Sequence, residues 1–264
     1  MAAIALGGAP LFSAGAARAF ASPVFRWAIA PALIGWAGLL ILPASGVALP
    51  LCVSPAAGAI GGFAGNLKAV LAGLDPAATS LAWALMLTAM MPPLLAPTIA
   101  RLAARSFTDR RERCIGLFVA GYAAVLCVAG AAGGLLMLAL QSLAMTAGVT
   151  AFASLIGAAA AAGWQLSGAK RRALNRCHGF TTPRAFGPEA DADALRFGVV
   201  HGGRCLRACG PTMIATMVGA HGPMVMAAVS AVLLAERSGA RPRQGVAALL
   251  LLVAGAAATL APMA

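Results

Sequence analysis

The sequence predicts an all-α fold, a polytopic transmembrane helical bundle of six to seven spans, in one integral membrane domain covering residues 1–264. Three observations carry that expectation. Hydrophobic residues make up 61% of the 264-residue chain and charged residues only 10%, too little polar surface to clothe a soluble globule of this size. Mean hydropathy is +0.89, and the apolar residues fall in runs long enough for a helix to cross a ~30 Å hydrocarbon core at ~1.5 Å per residue. The net charge of +12 comes from arginines gathered in short stretches between those runs, where they act as topology signals. The lipid bilayer is therefore the expected partner, and nucleic acid is not. The 6 cysteines have no regular spacing and mostly lie in or beside apolar runs, so free thiols are expected rather than a disulfide framework.

Residues 1–26 are apolar and small, and the first charge is Arg18. Without a basic n-region this segment reads as an uncleaved stretch lying at the membrane interface. The first span is expected over residues 27–51, bent by Pro31 and Pro43. Residues 56–73 have apolar positions at loosely helical spacing, which suits an interfacial helix on the periplasmic side. The second span, residues 81–100, holds a dense sulfur cluster. Trp83, Met86 and Met90 share a face, and Met91 adjoins the Pro92-Pro93 pair, which must interrupt the backbone ladder. A helix broken there needs neighbours to satisfy its freed carbonyls, so the kink should be buried.

Arg101, Arg105, Arg110, Arg111 and Arg113 mark a cytoplasmic loop. Residues 114–140 and 150–166 follow as the third and fourth spans. Both are rich in Ala, Gly and Leu, which allow close backbone approach, so the two are expected to form a tight hairpin. Tyr122 and Cys127 read as core residues of the third span. Residues 168–204 are the long polar segment of the chain, and Lys170, Arg171, Arg172, Arg176, Arg184, Arg196 and Arg204 make it a cytoplasmic loop. From Cys205 to Glu236 a single helix would run ~48 Å, well beyond the bilayer's need. The glycines at 219 and 222 with Pro223 offer a turn instead, Pro223 opening a new helix. That turn returns Arg237, Arg241 and Arg243 to the cytoplasm and leaves residues 245–261 as the last span.

The candidate chemistry lies in two sulfur-rich stretches. Cys205, Cys209, Met213 and Met217 recur at intervals of four, one slowly turning helical face, with His201 one turn before them and His221 one turn after. Thiolate and thioether sulfurs together select Cu(I), and imidazole is acceptable to copper. Cys177 and His178 lie ahead of this series in the polar segment and can fold back onto the mouth of the helix. Met86, Met90 and Met91 are expected to meet Met213 and Met217 at similar depth. The expected metal ligands are therefore Cys205, Cys209, Met213, Met217, His201, Cys177, His178, Met86, Met90 and Met91. The competing reading is packing, since methionine and cysteine fill apolar gaps without binding anything. Catalysis by the chain alone is not expected: no span holds paired carboxylates, and no Ser-His-Asp order or phosphate-binding glycine loop stands out.

These residues also carry a resemblance. Trp83, Met86, Met90, Met91 and Pro92, then Gln165, Lys170, Leu174 and Cys177, then the Gly-x-x-His-Gly-x-x-Cys run from Gly198 to Cys205, with Cys209, Met213 and Glu236, resemble a bacterial family of predicted metal-binding integral membrane proteins, also labelled copper chaperones. The resemblance spans roughly residues 81–237. It implies a multi-pass inner-membrane protein that handles copper through binding, passage or delivery, with no enzymatic reaction implied. The chain departs from the family pattern at several positions. Ala173 stands where the first loop cysteine is expected and His178 where an arginine is. Arg207, Ala208 and Gly210 replace an expected Gly, Cys and Trp, so two thiols are missing. An eroded motif of this kind also suits an accessory subunit of a larger membrane complex that keeps the fold and holds no metal.

Overall fold

The computed structural model describes residues 22–46, 75–143, 147–178, 183–184, 186–217, 223–237 and 244–260. Among them all the α and π structure is helical, in the order α1 (Ala30–Ala44), α2 (Pro76–Met90), α3 (Pro92–Arg105), α4 (Arg111–Leu143), α5 (Ala147–Leu166), α6 (Gly168–His178), α7 (Ala190–Met217), α8 (Pro223–Arg237) and α9 (Gln244–Leu260). The all-α expectation holds. The stretches at residues 1–21 and 47–74, which include most of the N-terminal interfacial segment and the periplasmic helix expected at 56–73, lie outside the described residues.

Proline sets the course of the first half. A π-helical turn, Phe25–Ile29, leads into α1, and the Ala30 amide reaches back five residues to the Phe25 carbonyl. Pro31, next in line, has no amide to return, so the wider turn is accommodated at that point. At the other end Ser45 donates to the Leu42 carbonyl and Gly46 takes φ 86°, a left-handed conformation that closes a helix at glycine. The helix therefore stops at Ala44 instead of running to residue 51. Asp75 opens α2 as an N-cap, its carboxylate accepting from the Ala77 and Ala78 amides at 2.9 and 3.2 Å, while Pro76 fills the first helical position. At Met91 the chain bends by 52° between α2 and α3, as the Pro92-Pro93 pair requires. Met90, Met91, Leu94 and Leu95 at this elbow are all buried, which is the protection a broken helix needs.

Two of the helical stretches, Phe25–Ala44 and Thr108–Leu136, are long and apolar enough to cross a membrane, and the bent α2–α3 pair makes a third if it counts as one span. The described residues thus reach two or three spans, short of six to seven. In the second half α8 and α9 have 15 and 17 residues against the ~20 that a span needs, and α5 counts as apolar only over Leu155–Leu166 among the described residues.

Four expectations are corrected. The arginine-rich stretch from Arg101 is mostly helical, since α3 continues through Arg105 and α4 resumes at Arg111. Residues 168–204 are not a loop either: α6 and the first half of α7 occupy most of the segment. The third and fourth apolar runs do not form the tight pair expected. Among the described residues α4 packs chiefly on α7, and α5 on α9 and α7. Glycine decides this. A Cβ on Gly198 would overlap the Phe118 carbonyl, one on Gly121 would overlap the Leu195 carbonyl, and one on Gly202 would press on Val125 at 3.0 Å. The two backbones meet through these small residues. Cys127, expected in the core, is exposed. At the start of the last hairpin helix the expectation is met, since α8 begins at Pro223; the turn before it, with His221, lies outside the described residues.

Candidate metal centre

The α4–α7 glycine seam places Tyr122, the single tyrosine of the chain, one residue beyond Gly121 and against the α7 face that carries His201, Cys205 and Cys209. These three are 2%, 1% and 2% exposed. The Tyr122 hydroxyl stands 3.2 Å from the Cys205 sulfur and 3.6 Å from the Met91 sulfur. A phenol has one proton to donate, so one sulfur takes it and the other meets the oxygen as a neighbour. The α2–α3 elbow is thereby joined to the cysteine helix through one hydroxyl.

Around Cys205 the other thiols close in. Cys209, one turn along α7, and Cys177, on α6, both hydrogen-bond with the Cys205 side chain. Cys177 lies in the last turns of an 11-residue helix whose inward face also carries Lys170, two turns earlier. The hydrogen bond to Cys205, and then burial, push the Cys177 thiol well above its ordinary range.

His201 completes the soft-donor set from one side. Its ring packs among Phe118, Phe197 and Tyr122, at centroid separations of 5.6, 5.8 and 6.1 Å. Neither ring nitrogen has a hydrogen-bond partner among the described residues. A buried imidazole with both nitrogens unsatisfied is an exception that asks for a partner.

Two cations stand beside the sulfurs. Arg237, in the last turn of α8, is buried, and its Nε and one Nη have no hydrogen-bond partner among the described residues. It lies close enough to Cys205, Cys177, Cys209 and Tyr122 for charge to matter at each. Lys170 is fully buried and pairs with Glu236 at 3.0 Å. Gln165 donates to the other Glu236 oxygen at 2.9 Å. Trp164, immediately before Gln165, donates to the Ala208 carbonyl at 3.2 Å, which fixes α5 against α7 between Cys205 and Cys209.

The structure therefore brings together Cys177, Cys205, Cys209 and Met91, with His201 alongside. Met86 and Met90 are buried in the same core, and Met213 packs half-buried against it. Met217 and His178 fall in the final turns of α7 and α6, and their side chains lie outside the described residues. Sequence reasoning missed Tyr122 and Arg237. The signal for Tyr122 was its being the sole tyrosine, set one residue after a glycine in an apolar run. Arg237 gave none beyond its place at a helix end. Among the described residues no group of three or more His, Cys, Asp or Glu side chains is spaced to hold a metal ion. The thiols are hydrogen-bonded to one another, and a metal would have to replace those protons.

No curated protein and no solved structure matches the chain. A family model does match, over residues 80–260, which include most of α2, every helix from α3 to α9 and the whole thiol cluster. On that match the chain belongs to the PpoB2 family, described as copper chaperones.

Proposed function

We propose that this protein is a membrane-embedded copper carrier that takes Cu(I) at Cys205 with Cys177 and Cys209, and that Met91 supplies a thioether beside them. The observation that carries the reading is the meeting of three thiols from α6 and α7 with the Met91 sulfur of the α2–α3 elbow around the Tyr122 hydroxyl. The donor chemistry fits the cargo. Soft sulfurs favour Cu(I), which accepts low coordination numbers, so two thiolates suffice to hold it. Two thiolates and one Cu(I) leave a net negative charge, and the buried Arg237 guanidinium is placed to offset it. Loading requires the thiol protons to leave.

His201, aromatic-walled and with unsatisfied nitrogens, serves as a further donor on the α4 side of Cys205. Membership of a chaperone family supports transfer of the metal and not a catalysed reaction. The basic ends of α3, α4 and α6 are read as cytoplasmic, in a bacterial inner membrane.

The test is copper per polypeptide in full-length protein purified without chelator and loaded with Cu(I). Wild type should hold copper, Cys205→Ser with Cys209→Ser should lose it, and Met90→Leu with Met213→Leu should keep most of it. If the cysteine pair variant folds and retains copper like wild type, the site is wrong. A wild type that holds no copper would leave the alternative, a metal-free accessory subunit, standing.

A further inference from the structure

Every sulfur of the thiol cluster is buried, and so is His201, so copper reaches the site only if one of the covering elements moves. α7 is held on one side by the glycine seam with α4 and on another by Trp164, which donates to the Ala208 carbonyl. α6 is held far less. Of its described side chains only Lys170 and Cys177 are buried, and a helix that buries so little apolar surface belongs to the low-stability end of a fold. We infer that α6 is the lid of the copper site, swinging about Ser167 and Gly168 and carrying Cys177 as the thiol that first takes incoming Cu(I). That role rests on the copper reading of the cluster and adds the route by which the metal arrives.

The chain is broken where such a lid needs its hinge. α5 ends at Leu166 and α6 begins at Gly168. Between them the Ser167 hydroxyl accepts from the Lys170 amide at 3.1 Å, which caps α6 as a helix of its own. The Lys170–Glu236 pair pins the hinge end. Cys177 lies two turns further on, about 10 Å along the axis, so a modest tilt carries its sulfur away from Cys205. There is room for that tilt. A cavity of about 210 Å³ opens between α6 and α7, with Ala169 and Ala173 on the lid side and Arg204 and Arg207 on the other, where a close-packed helix pair would leave no such void.

The outer face of the lid decides what enters. Arg171, Arg172, Asn175 and Arg176 are exposed along α6, and a row of charges of this kind sits at water and not in hydrocarbon. An opening beneath it admits an aqueous donor, Cu(I) held by two small thiolates. Ligand exchange then runs in two steps. The Cys177 thiol gives its proton to one donor thiolate as that Cu–S bond breaks and a Cu–S bond to Cys177 forms. Closure brings the ion to Cys205, whose proton leaves on the second donor thiolate in the same way. Copper stays Cu(I), two donor thiols depart, and the complex carries one negative charge throughout.

The test follows Cu(I) delivery from its glutathione complex to full-length protein in nanodiscs. Loading is timed by quenching into a colorimetric Cu(I) chelator, and affinity is measured by competition with the same chelator. Cys177→Ser should slow loading about tenfold or more, while Cys205 and Cys209 keep the affinity within about tenfold of wild type. Cys209→Ser removes a thiol from the fixed helix and should change the loading rate by less than about twofold. Gly168→Ala stiffens the hinge without a clash, since the nearest atoms to the added Cβ are 3.6 Å away. It should slow loading and release alike by about two- to fivefold and leave affinity and melting temperature unchanged. A Cys177→Ser rate no slower than that of Cys209→Ser, or a Gly168→Ala rate equal to wild type, would overturn the lid. A wild type that takes no copper from the complex at equilibrium would instead refute the copper reading, and the lid with it.

Discussion

Two buried polar clusters hang on the inward face of the same short helix, α6, and they are built on opposite rules. At its start the Lys170 ammonium meets the Glu236 carboxylate at 3.0 Å, and Gln165 fills the other carboxylate oxygen at 2.9 Å. Near its end Cys177 meets Cys205, which also meets Cys209 and Tyr122. In the first cluster every charge has an opposite charge, and any exchange would leave an ion stranded in an apolar interior. In the second the partners are thiols that hold one another through replaceable protons. The first fixes where α6 and α8 sit, and the second keeps donors in place that a soft metal can claim.

The largest expected effect breaks the first cluster. Glu236→Gln keeps the shape and the contact to Gln165 but strands Lys170, and should cost about 3–5 kcal/mol of stability. The double variant Lys170→Met with Glu236→Leu should recover most of that in thermal or denaturant unfolding of the detergent-solubilised protein. Recovery would mark the pair as structural, and failure to recover would mean that the charges serve the thiols as well.

Next in size is the second cluster. Cys205→Ser should leave the melting transition close to wild type while abolishing stoichiometric copper, the reverse of the Glu236→Gln pattern. Because the hydrogen bond to Cys205 and burial hold the Cys177 proton in place, loading must expel it. Copper affinity should therefore rise with pH, about tenfold per unit for each proton displaced, measured by competition with a Cu(I) chelator whose own pH dependence is known. An affinity flat from pH 6 to 8 would remove Cys177 from the ligand set.

A smaller change is expected from Tyr122→Phe. It deletes the hydroxyl that joins Cys205 to Met91 and should cost about 0.5–1.5 kcal/mol, with weaker copper retention but not its loss. Smallest of all is Cys127→Ser. This thiol is exposed on α4, away from the cluster, and neither copper binding nor stability should move measurably. If Cys127→Ser lowered bound copper, the stoichiometry assigned to the buried thiols would need revision.

The sequence by itself determined the apolar all-helical character, the Pro92-Pro93 break, the start of α8 at Pro223 and the sulfur series along α7. Each of these follows from local rules: hydropathy, a missing amide, a fixed φ, and a period of 3.6. The resemblance to the copper-handling family also singles out Gln165, Lys170, Cys177, His201, Cys205 and Glu236. Which helices touch was decided by tertiary structure. Residues 114–140 and 150–166 look equally suited to pair with each other, yet Gly121 and Gly198 set α4 against α7, because there two small residues face two carbonyls closely enough to exclude a Cβ. That seam carried Tyr122 to Cys205 and made a hydrophobic-run tyrosine part of the site. The polar stretch at 168–204 reads as solvated loop from its charges alone. Its fold into α6 and α7, with Lys170 and Cys177 buried and Arg172 and Arg176 outward, depends on Glu236 and Cys205 arriving from helices far along the chain, a long-range pairing that no local pattern encodes.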